Sequence, residues 1–146
     1  MIQFNDEIKN FVNFQKLGYV ATVSSDGTPN LSPKGTISIL DDSTLVFANI
    51  RSPQTIENLS QNPSIEINVV DPFSRRGYRF KGLATILSHG DDFEKILNYF
   101  EKKGIQSSIT HVIIVNTQSF SELTSPSYDL GQKQEDLVKK WKNYYS

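Results

Sequence analysis

Apolar residues at Ile8, Phe11 and Val12 recur at helical spacing behind Asn5-Asp6-Glu7, a polar opening that puts acids in a first turn. A helix is expected there, with Gly18 as its stop. The pattern then changes period. Tyr19–Ser24 is β-rich, and Asp26-Gly27 is a hairpin signal. A second strand is predicted from about Asn30 to Leu40, with Leu31, Ile37 and Ile39 as its apolar members. After a turn at Asp41-Asp42, Thr44–Asn49 reads as a third, buried strand.

The next segment opens differently. Ser52 before Pro53 predicts an N-cap followed by the first helical residue, with Ile56 and Leu59 as the apolar side and Asn62-Pro63 as the stop. Ser64–Val70 is a fourth strand and Asp71–Gly77 a loop. Tyr78–Leu87 is a fifth strand, in which Gly82 marks a bulge or a close backbone approach. Asp91 and Asp92 are placed as the cap of a helix running through Phe93, Ile96, Leu97 and Phe100 to Gly104. His111–Thr117 is a sixth strand, Ser125–Gly131 is irregular, and a last helix covers about 133–145. No period of roughly 20–50 residues repeats, which excludes a solenoid. Six strands with tight turns and a few helices predict one mainly β domain over 1–146, a small antiparallel barrel with peripheral helices and the last helix as an appendage.

Composition narrows the chemistry. The chain of 146 residues has 37% hydrophobic and 21% charged residues, which argues for a globular core and against disorder. A net charge of −1 and a pI near 6.1 argue against a nucleic-acid module. With no cysteine, disulfides and thiolate-held zinc or iron–sulfur centres are excluded. His89 and His111 are the only histidines and form no ligand pair, so no metal site is expected and both read as structural or exposed. Met1–Asp6 has neither a basic start nor an apolar run, and no stretch approaches the roughly 20 apolar residues of a membrane span. A cytoplasmic location without membrane partners is expected.

Three segments carry candidate chemistry. In Ser32-Pro33-Lys34-Gly35, proline removes a ladder donor, glycine bares the backbone and Lys34 adds a cation, so a flat ligand could approach the strand. An ordinary edge strand with a surface lysine is the plain alternative. In Asn49-Ile50-Arg51-Ser52-Pro53-Gln54-Thr55, a buried strand runs into a helix start. Free N–H groups, the guanidinium fork of Arg51, the hydroxyls of Ser52 and Thr55 and the amide of Gln54 suit a phosphate. A capped helix with a solvated arginine explains the same residues. In Arg75-Arg76-Gly77-Tyr78-Arg79-Phe80-Lys81, strand alternation puts Tyr78 and Phe80 on one face and Arg79 and Lys81 on the other. A charged edge that blocks aggregation would look alike.

Taken together, LGYVATVSSDGTPNLSPKGTISIL, LVFANIRSPQTIENLSQNPSIEINVVDPFSRRGYRFKGLATIL and TSPSYDLG resemble the FMN-binding split-barrel family related to pyridoxamine 5′-phosphate oxidase. The resemblance covers most of Leu17–Leu87 and the tail, and implies a six-stranded split barrel, a homodimer and one FMN per subunit in the dimer cleft. By position, Ser32, Pro33, Lys34 and Gly35 are similar to the strand beside the isoalloxazine ring. Asn49, Ile50, Arg51, Ser52, Gln54 and Thr55 are similar to the phosphate and ribityl site. Arg75, Arg79 and Lys81 would line the cleft or come from the partner, and Trp141 would cover the flavin. Where the oxidase has an Arg-Leu-x-Pro type motif, this chain reads Trp141-Lys142-Asn143-Tyr144-Tyr145-Ser146, so pyridoxamine phosphate is not the expected substrate. The implied function is an FMN-dependent oxidoreductase whose substrate and electron donor are not legible, since the cofactor carries the redox chemistry. A non-catalytic FMN carrier or sensor and an F420-binding relative are the alternatives.

Overall fold

The structure, a computed structural model, describes residues 2–146. Helix α1 (Asp6–Gln15) starts where Asn5 Oδ1 accepts the Ile8 amide at 2.9 Å. Its end differs from the expected Gly18 stop. Lys16, at φ +60°, turns the chain, and Gly18 already belongs to strand β1 (Gly18–Val23).

The expected second strand is two strands, and the sheet therefore has seven rather than six. β2 (Pro29–Lys34) pairs with β1, whereas β3 (Ser38–Asp41) pairs with β4 (Thr44–Asn49). Between them, 35–37 leaves both ladders. The Ile37 amide donates to the Lys16 carbonyl at 2.9 Å, and Thr36 Oγ1 accepts from the Ala48 amide at 2.9 Å. Pro33 without an N–H and Gly35 without a side chain mark where the ladder is abandoned.

The chain continues through helix α2 (Pro53–Gln61), strands β5 (Ser64–Asp71) and β6 (Arg76–Leu87), helix α3 (Asp91–Lys102), strand β7 (His111–Thr124) and helix α4 (Gln134–Tyr145). The antiparallel sheet has the order β2-β1-β5-β6-β7-β4-β3. Its edges, β2 and β3, are not hydrogen-bonded to each other, so it is open, and the two pieces of one expected strand form its opposite margins.

Further boundaries shift for physical reasons. β7 runs seven residues past Thr117, because Arg76–Lys81 of β6 offers a ladder to Ser119–Thr124. Gly90 at φ +98°, not Asp91 or Asp92, occupies the cap of α3; the two acids sit in the first turn, where they complement the helix dipole. Pro126–Tyr128 forms one 3-10 turn within the irregular tail.

The glycine expected at a bulge lies on one. The β6–β7 register shifts between Lys81 and Gly82, and a Cβ on Gly82 would stand 2.2 Å from the Asn116 carbonyl oxygen. The three nearest atoms are all backbone of Asn116 and Thr117 in β7, which leaves little room to yield. Gly82→Ala is expected to cost about 1–3 kcal/mol, read as a lower denaturant midpoint at unchanged slope.

The sheet curls around one core. Val20, Phe47, Ile67, Phe80 and Ile113 from five strands meet Phe4, Ile8 and Val12 of the N-terminal segment and α1. Val46, Ala48 and Val112 point the other way and are covered by Phe93, Ile96 and Phe100 of α3. This double cover explains why all six residues of β4 are buried. Among the described residues, no helix is long and apolar enough to cross a membrane.

Candidate cofactor site

The end of β2 and the start of α2 meet in space. Ser52 occupies the N-cap position of α2, but its side chain does not cap the helix. Its hydroxyl instead accepts from the Lys34 ammonium, which joins two segments 18 residues apart in sequence. Lys34 is 7% exposed, and among the described residues neither it nor Arg51 takes part in an ion pair. Burial pulls the Lys34 pKa below its usual value. A buried cation thus faces the free N–H end of a helix, which is itself positive. Both features call for an anion, and Arg51 stands exposed beside them.

The first turns of α2 are tied to the sheet. Gln54 Nε2 donates to Asn58 Oδ1 at 2.7 Å, and Asn58 Nδ2 donates to Thr22 Oγ1 of β1 at 3.0 Å. Thr55 and Asn58 are both 1% exposed. Asn58 and Thr22 were not among the expected site residues. A polar residue followed by Leu59 on the apolar side of a short helix was the available signal for Asn58. Ser32 is half-buried on β2, and Pro33 and Gly35 are exposed on either side of Lys34.

Asn49 ends β4, buried, and Ile50 is half-buried beyond it. With Ser52, Pro53, Thr110 and His111 they line a groove of about 390 Å³. His111, expected to be structural or exposed, therefore borders the same junction as Ser52.

The remaining expected residues form two other groups. Arg79 Nε and Lys81 Nζ flank the Glu66 carboxylate across β5 and β6 at 3.8 and 3.4 Å. Tyr78 and Phe80 lie on the opposite face, as alternation predicts; their rings are 6.3 Å apart. Arg75, at φ +58°, lays its guanidinium 3.8 Å from the Trp141 ring centroid and donates to the Tyr145 hydroxyl at 3.2 Å. Trp141 is thus the stacking partner that holds α4 to the β5–β6 turn. No hydrogen bond or ion pair of the described residues joins either group to Lys34 and Ser52.

The pyridoxamine 5′-phosphate oxidase family matches residues 4–121. Among solved structures, HupZ of Group A Streptococcus is 33% identical with a TM-score of 0.76, over 84% of this chain and 95% of that one. An FMN-binding protein from Syntrophomonas wolfei subsp. wolfei shares the fold at 13% identity and a TM-score of 0.71, over 82% and 86% of the two chains. An F420 reductase shares it at 21% identity and a TM-score of 0.63, over 81% and 98%. No curated protein matches in sequence.

Proposed function

The chain belongs to the pyridoxamine 5′-phosphate oxidase family, and from that premise we propose that it is a flavoprotein that binds FMN at the junction of β2, β4 and α2 and works as an oxidoreductase on a substrate other than pyridoxamine phosphate. The observation that carries the reading is the buried Lys34 ammonium, unpaired with any carboxylate and set beside a helix N-terminus. A phosphate there would accept from Lys34, Ser52 and the first free amides of α2, with Arg51 closing over it. FMN, when bound, would supply the redox chemistry. The residues of this chain would hold its anionic end, orient it and exclude water from that end.

One subunit leaves apolar strand faces uncovered. Tyr19 is 45% and Leu31 68% exposed on the outer face of β1 and β2. A homodimer covers this surface and lets the Arg75–Trp141 and Arg79–Lys81 groups serve a cleft between copies. Light scattering should give twice the 16.5 kDa chain mass. An F420 relative is the second reading, favoured by the shared fold of the F420 reductase.

Denaturing the purified protein and weighing the released cofactor separates these. FMN is expected; F420 establishes the second reading; FAD, or nothing after supplementation with FMN and F420 in turn, overturns both. Arg51 gives a finer test. It is exposed, so Arg51→Ala should leave stability unchanged. Losing a charge-assisted hydrogen bond should cost about 1.5–3 kcal/mol of FMN binding, roughly ten- to a hundredfold. Arg51→Lys should recover only part, because lysine lacks the fork. Fluorescence titration of apo-protein that finds Arg51→Ala equal to wild type would remove Arg51 from the site.

A further inference from the structure

On the core-facing side, β4 and β7 pair apolar residues and then turn polar at the Asn49–His111 end. Along β4 and β7 the cross-strand pairs Leu45–Val115 and Phe47–Ile113 fill the core, and the next pair on that face is Asn49–His111. Directly paired residues put their Cβ atoms about 4.5–5.5 Å apart, so carboxamide and imidazole are neighbours. Asn49 is 3% exposed, and its Oδ1 is buried with no hydrogen-bond partner. A buried acceptor left unpaired is costly, which makes it a pointer to something that donates.

Thr110 links the imidazole to Asn49. The Thr110 amide and hydroxyl both lie within 3.3 Å of the Asn49 main-chain carbonyl oxygen, and the hydroxyl oxygen is 2.9 Å from His111 Nδ1. When Nδ1 donates to that oxygen, Nε2 is left with a lone pair. The groove beside these two acceptors is walled by Ile50, Pro53 and Ile56, with Glu57 also lining it. Lys34 and Arg51, unpaired at the adjoining junction, disfavour a cationic occupant despite Glu57.

We propose that this groove is a ligand site for a small, flat, neutral molecule that donates two hydrogen bonds from one edge, the chemistry of a primary carboxamide on an aromatic ring. One N–H goes to Asn49 Oδ1 and one to His111 Nε2, while the ring lies against Ile50 and Ile56. The groove shares Asn49, Ile50 and Ser52 with the residues expected at the phosphate and ribityl chain, so FMN should compete with its occupant, and the titration without FMN reads the groove alone.

The test uses benzamide and acetophenone, neutral probes of nearly equal shape that differ in the N–H donors. Each is titrated into the full chain and followed by amide and imidazole nitrogen NMR, with and without FMN. Benzamide should shift the signals of Asn49, Thr110 and His111, including His111 Nε2. Acetophenone should bind at least roughly tenfold more weakly, the worth of the lost hydrogen bonds. His111→Phe, a half-buried position that keeps a ring, should weaken benzamide to the level of acetophenone. Asn49→Ser should do the same if it folds. Equal affinity for the two probes overturns the proposal, as does a protonated Nε2 in the neutral ring, or no shift up to about 10 mM benzamide, a concentration that reveals fragment-strength binding. An FMN reading that fails leaves the benzamide result intact, because the titration without FMN is read separately.

Discussion

Lys34→Met is expected to abolish tight FMN binding in a protein that is as stable as wild type or more so. The two effects share one cause. In the ligand-free protein Lys34 is buried with only the Ser52 hydroxyl as partner. Methionine fills a similar volume without the desolvation cost of a charge. With a phosphate present, the same ammonium becomes a desolvated partner of a dianion. Truncating such pairs costs about 2–5 kcal/mol, roughly thirty- to several-thousand-fold in affinity. Calorimetric unfolding and FMN titration on the same preparation read both. A variant that binds FMN normally would displace the phosphate from Lys34.

The same residue sets a pH dependence. The Lys34 pKa is lowered by burial in the folded chain and has its ordinary value of 10.5 when unfolded. Between the two, the unfolded state holds a proton that the native state lacks, so ligand-free stability rises with pH across that window. A bound phosphate favours the charged ammonium and should remove the rise. The difference between wild type and Lys34→Met isolates this group from other lysines and tyrosines that titrate at alkaline pH.

Phe80→Ala is expected to cost about 3–5 kcal/mol, a large share of the roughly 5–15 kcal/mol by which domains are stable. Phe80 is 0% exposed. Its ring lies edge-on to Phe4 at 5.5 Å and within 6.3 Å of Phe120 and Tyr78, and Tyr78 in turn meets Phe11 of α1 at 5.3 Å. One ring thus connects the N-terminal segment, β6 and β7. Phe14→Ala, at a side chain 81% exposed, should change stability by less than about 0.5 kcal/mol. Comparable losses for the two would mean that the core is not centred on Phe80.

Local pattern made much of the fold legible. The run Thr44–Asn49 announces a buried strand, and Asn5 and Pro53 announce helix starts. The break at 35–37 was hidden because apolar Ile37 and Ile39 continue the strand-like pattern past it; only the pairing of each half shows the division. The extension of β7 was hidden because one face carries Ser119 and Ser121 and the other follows Phe120 with Glu122, so neither face keeps an apolar period. In the candidate site, Arg51, expected at a phosphate, and Lys34, expected beside the ring, stand at the same junction, where the proposed phosphate would meet both. Burial of Lys34 follows from a contact between distant segments, which no local pattern encodes. His111 was set aside as a lone histidine; its significance comes from the Thr110–Asn49 network across two strands.

The three residues between β2 and β3 have a consequence for the cooperativity of opening. The β1–β2 and β3–β4 hairpins hold opposite margins of the sheet, yet they are joined by 35–37, pinned at Ile37 to the Lys16 carbonyl. Neither margin can swing far without dragging the other or breaking that bond. The two margins, instead of fraying independently as sheet edges usually do, should therefore exchange their amide hydrogens as a single unit of similar opening free energy.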